Sequence, residues 1–202
     1  MLPAKFTQYF LVFLLMIVAP MQTVATTVLP VSLQKMSSTA EFIFLGKVIS
    51  NESRIDDVSG QIATFTTFEV LRTVKGNPGT THTIKQIGGQ LPDSDRRLII
   101  KGVPQFHLDR EYIVFLPKQS KLGFNSPVGL SQGKFDVLEN EQGKVVSNGR
   151  SAASLAGKTP SADISKLPNG IHIHSHSLDP VAGKTRIDMD DFMQTVSEMA
   201  RE

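Results

Sequence analysis

Between residues 40 and 147 the chain alternates long apolar runs with short polar turns. The first run, AEFIFLGKVIS from Ala40 to Ser50, is rich in aromatic and β-branched residues and apolar at consecutive positions through Leu45. That pattern predicts a strand whose first half is buried on both faces. Gly46 inside it marks a bend or bulge. After the turn-rich NESRIDDVSG comes QIATFTTFEVLRTVKG, whose apolar positions change parity between Phe65 and Phe68. A β-bulge near Thr66–Thr67 accounts for the change. THTIKQIGG reads as a third strand ending at Gly88–Gly89, and the long connection after it is expected to hold a short strand at Leu98–Lys101. EYIVFLP, closed by Pro117, has the unbroken apolar character of a central strand. KFDVLENEQGKVVS reads as a hairpin turning at Asn140–Gly143. Helical spacing occurs at both ends. Leu33, Met36 and Ala40 predict a short helix over Ser32–Ser38. Phe192, Val196 and Met199 predict a C-terminal helix over 188–202, with Asp188 as N-cap and Asp191 as its capping-box partner.

Five or six long, bulged strands without βαβ units imply a mainly β fold. The reading is a small antiparallel OB-like barrel, closed or partly closed, with a short N-terminal helix and a C-terminal helix. A β-sandwich is the alternative. Residues 26–146 form the barrel domain, and residues 147–187, rich in Ser, Gly, Ala, Asn and Pro, form a flexible linker.

The start of the chain has a different pattern. A polar opening with Lys5 precedes the apolar run Phe10–Ala19, then Pro20 and the small residues Thr23 and Ala25. This is the layout of a signal peptide over residues 1–25, cleaved after Ala25. The run is too short to cross ~30 Å of hydrocarbon, so the expectation is export with no membrane attachment after cleavage. The sequence contains no cysteine. A lipid anchor on cysteine and disulfide bracing are thereby excluded, and a bacterial periplasm or culture medium suits such a chain better than eukaryotic secretion. With 21 basic against 19 acidic residues there is no electrostatic case for nucleic acid.

AEFIFLGKV, TFEVLRTVKG, the glycine pair and GVPQFHLDREYIVFL follow one another in an order that resembles netrin-like modules. That family includes the tissue inhibitors of metalloproteinases, and the sequence is also similar to uncharacterised exported bacterial proteins that carry VGLSQGKF. The likeness covers about Val31 to Leu138 and rests on core and turn residues. It implies an OB-type barrel and an exported protein partner, a metalloprotease by analogy. The inhibitors' zinc-binding N-terminal cysteine has no counterpart in this chain.

Two motifs suggest chemistry. GLSQG, Gly129 to Gly133, matches the nucleophile elbow G-x-S-x-G and nominates Ser131 for a serine hydrolase. The elbow requires a strand before the serine and a helix after it, whereas KFDVLE alternates like a strand, so the glycines are read as turn residues. HIHSH places His172, His174 and His176 at alternate positions, roughly 7 Å apart on a strand. Neighbouring pairs can share a Zn²⁺, Cu²⁺ or Ni²⁺ ion, with His82 or His107 as further ligands. DPVAGKTRIDMDDF lacks oxygen ligands at the calcium-loop positions before Gly183. The expectation is therefore a non-enzymatic, exported protein-binding module without a resident cofactor. A metal-binding envelope protein and a serine hydrolase are the alternatives.

Overall fold

The computed structural model describes residues 29–141, 143–150, 155, 178–179 and 184–201. The signal-peptide reading and His172, His174 and His176 lie outside them, as does most of the 147–187 segment.

Ser32 caps the first helix, α1 (Leu33–Thr39), its hydroxyl accepting from Lys35 N–H. Then come β1 (Phe42–Ile55) and β2 (Ile62–Lys75), joined by a tight turn, and β3 (Thr81–Ile87). Two short strands, β4 (Gly89–Gln90) and β5 (Arg97–Leu98), form a separate ladder. β6 (Glu111–Leu116) precedes a 3₁₀ turn (Leu130–Gly133) that feeds the hairpin β7 (Lys134–Asn140) and β8 (Gly143–Ser147). β9 (Leu178–Asp179) pairs with β10 (Lys184–Thr185), and β11 (Ile187–Asp188) leads directly into α2 (Met189–Met199).

The fold is mainly β with one helix before the strands and one after them. Seven strands make one antiparallel sheet in the order β11-β8-β7-β6-β1-β2-β3. β3 and β11 are its edges and do not pair, so strand pairing does not close a barrel, and the sheet is not split into the two layers of a sandwich. Beside β3, the connection after β6 does part of that closing. Asn125 N–H donates to Lys85 O (2.8 Å) along the edge strand. β11, which begins at the last residue of the expected linker, pairs with β8.

Both faces of the sheet are covered. On one face α1 and α2 lie over Ile43 and Leu45 of β1, Ile113 and Phe115 of β6, and Phe135 of β7. On the other, Phe44, Val48, Phe68, Ile84, Tyr112 and Val114 pack together under Phe106 of the long connection. Double-sided burial is why AEFIFL and EYIVFL carry continuous apolar runs.

The parity change in β2 has a different origin from the bulge expected at Thr66–Thr67. Val48 faces Phe68 while Ser50 faces Thr67, so the extra residue is Ile49 on β1. Two further shifts, beside Leu45/Gly46 and Ile43/Phe44, leave Leu71 and Val74 as extra residues on β2. Phe65 and Phe68 are simply on opposite faces, Phe65 lying beneath the Arg54 guanidinium at 3.8 Å.

At the β1–β2 turn, Asp56 accepts from the Ser59 hydroxyl (2.6 Å) and Ser59 N–H (2.9 Å), and from Lys85 Nζ at 2.9 Å. The Ser59 hydroxyl first and Lys85 next hold its carboxyl down to about 2 from an ordinary 3.8. A depressed folded-state value stabilises the fold above the unfolded value, and that contribution disappears as the carboxylate is protonated. The gap in urea midpoint between wild type and Asp56→Asn is therefore expected to be full above about pH 4 and to close toward pH 2. A gap independent of pH would show that the carboxylate's charge contributes nothing.

Candidate functional site

Beyond the Ile49 bulge the inner face turns from aromatic to polar. Asn51 and Ser53 of β1 stand opposite Thr66 and Thr64 of β2, and Gln86 of β3 stands opposite Thr64. These side chains form the floor of a cavity of about 360 Å³. Its roof is the strap from Gly88 to His107, which includes the β4–β5 ladder.

The strap can lie this close because of its glycines. Gly88 and Gly89 both have positive φ, which glycine adopts without strain. A Cβ on Gly89 would collide with the Ser53 and Thr64 hydroxyls. Asn51 ties the far end of the strap down, donating from Nδ2 to Phe106 O at 2.7 Å. Phe106 then stands edge-on to both Phe68 and Tyr112, each 5.1 Å away between ring centres.

The floor is hydrogen-bonded and uncharged. The Ser53 and Thr64 hydroxyls are 2.9 Å apart, Thr64 donates to Gly88 O (2.7 Å), and Thr66 donates to Asn51 Oδ1 (3.1 Å). Gln86 is buried, and its Nε2 has no partner among the described residues. Arg97 and His107 stand at the rim, and among the described residues no aspartate or glutamate lines the cavity. Such a surface orients and holds a polar group; among these residues no nucleophile is paired with a base.

Of the residues nominated by sequence that the structure describes, His107 lines the cavity, while His82 and Ser131 fall elsewhere. His82 packs between the Phe42 and Phe44 rings, 5.0 and 5.5 Å away, and burial pushes its imidazole pKa below the usual value. Among the described residues no group of three or more His, Asp or Glu side chains is placed to hold a metal ion.

Ser131 is exposed on the 3₁₀ turn, which passes into strand β7 and not into a helix. The residue of consequence in GLSQG is its neighbour Gln132. Its Oε1 accepts from Val31 N–H (2.8 Å), its Nε2 donates to Leu29 O (3.0 Å), and its own carbonyl accepts from Asn148 Nδ2 (2.9 Å). The motif thus anchors the segment entering α1 against the strand hairpin. Gly129 takes a left-handed φ of 64°, and a Cβ on Gly133 would meet Val128 O at 2.6 Å. Gln132→Leu is expected to cost about 1–2 kcal/mol by orphaning two backbone groups that water reaches in part. Ser131→Ala should stay within about 0.5 kcal/mol of wild type. Urea denaturation of the two variants checks both.

Little in the sequence marks the cavity; of its lining only His107 is a candidate metal ligand by residue type. NESRIDDVSG reads as a turn, yet Asn51–Ile55 continue β1, and Thr64 and Thr66 look like the solvent face of β2; the convergence of these side chains depends on the bulge and the strap. Compared with known proteins, the chain matches no family model and no curated protein.

Proposed function

We propose that the chain is an exported, non-enzymatic module that binds a protein partner through the mouth of this cavity. The observation that carries the reading is the lip. Ile99 and Ile100, consecutive on the strap, are 74% and 38% exposed, and Leu108 just past its end is 56% exposed. Single exposed aliphatic residues are ordinary on any protein. An adjacent pair at a cavity mouth is a contact surface. Exposed Arg96, Arg97 and Lys101 flank the pair and favour a partner with acidic groups around its own apolar contact.

Export rests on the N-terminal pattern, and the netrin-like resemblance makes exported metalloproteases the first partners to try. Without a cysteine, contact with such an enzyme would come from the lip and not from a zinc-binding terminus.

A photo-crosslinking residue placed at Ile99, with Leu71 as a control position, tests the reading against purified exported metalloproteases and a native envelope fraction. The expected result is one discrete adduct from position 99, absent from position 71 and lost when Ile100→Asp is added. Equal adducts from both positions, or none, would overturn it.

A further inference from the structure

We propose that the cavity beneath the strap is also a binding site for a small hydroxylated carboxylic acid, independently of any protein partner at its lip. Its volume of about 360 Å³ is in the range of small-molecule sites.

The hydrogen-bond directions on the floor define what fits. Thr64 gives its hydroxyl proton to Gly88 O, so in the Ser53–Thr64 pair Ser53 is the donor. Thr66 gives its proton to Asn51 Oδ1. The half-buried Ser53 oxygen is therefore left as an acceptor at the floor, whereas Thr66 is 1% exposed. Gln86 beside it is 3% exposed, and its Nε2, which has no partner among the described residues, is closed off from the cavity. A free acceptor at the floor suits a hydroxyl group, which donates to it. Phe106 supplies one apolar wall for the carbon skeleton.

Charge adds the acid. Among the described residues no carboxylate lines the cavity, and none forms an ion pair with the Arg97 guanidinium at its rim. A guanidinium receives a carboxylate through two parallel hydrogen bonds. One cation without opposing anions suits a monoanion and repels cationic ligands.

The test uses the full chain titrated calorimetrically with gluconate and with sorbitol. The two share a hydroxylated six-carbon chain and differ by a carboxylate at one end. The expected result is one gluconate per chain with a dissociation constant in or below the millimolar range, and sorbitol at least ten-fold weaker. Arg97→Leu should abolish that preference, and Arg97→Lys should retain part of it. Ser53→Ala should weaken both ligands by about two- to ten-fold. Arg97 is exposed, so its variants carry little risk of misfolding. Equal binding of the two compounds, gluconate affinity unchanged in Arg97→Leu, or no saturation by roughly 10 mM would overturn the proposal.

Discussion

Replacing Phe192 by alanine is expected to lower the free energy of unfolding by about 3–5 kcal/mol. Phe192 is 1% exposed, and its ring lies 4.6 Å from that of Phe135 and 6.3 Å from that of Phe115. It is the point at which the C-terminal helix enters the core shared with α1. An isolated helix of 11 residues is marginal in water, so α2 depends on this face. Its surface tie, Arg72 Nη1 to Asp190 Oδ1 at 3.0 Å, joins two exposed side chains and contributes little. Urea denaturation gives the free energy. Loss of far-ultraviolet helix signal at denaturant concentrations where the sheet persists would show that the helix detaches first. A loss below about 1 kcal/mol would contradict the packing described here.

The second large effect is expected at Gly46. A Cβ there would lie 2.9 Å from Phe44 Cε2 and 3.1 Å from both Glu69 O and Phe68 Cβ. Two of those neighbours are buried aromatic side chains and the third is backbone, so little can give way. Gly46→Val is expected to cost at least the upper end of the ~1–3 kcal/mol typical of overpacking. If collision with the Phe44 ring is the cause, Phe44→Leu will cost less in the Gly46→Val background than in wild type. A double-mutant cycle measures that coupling. Additive costs would place the problem in the strand backbone instead.

Gly46 shows how far a pattern can be read. A glycine inside an apolar run predicts a local irregularity, and a register shift does occur between Leu45 and Gly46. The reason for the glycine is the approach of Phe44 and Phe68, which belongs to the pairing of two strands. GLSQG behaves similarly. Its glycines are turn residues, as the following strand-like KFDVLE implies. The partners of Gln132, at Leu29 and Val31, are about a hundred residues away in the chain.

By itself the sequence determined most of the elements: two helices, the second capped by Asp188, the first part of β1, all of β2, the buried β6 and the β7–β8 hairpin. These follow from propensity, capping and periodicity, which act within a few residues. Tertiary structure decided where the bulges lie, that the sheet stays open at β3 and β11, and that β11 returns to the sheet before the last helix. It alone assembled the cavity, because the extra residue Ile49 turns Asn51 and Ser53 onto the face that carries Phe44 and Val48. A bulge is set by which residues face each other across two strands, and that register is a property of the pair rather than of either strand's pattern.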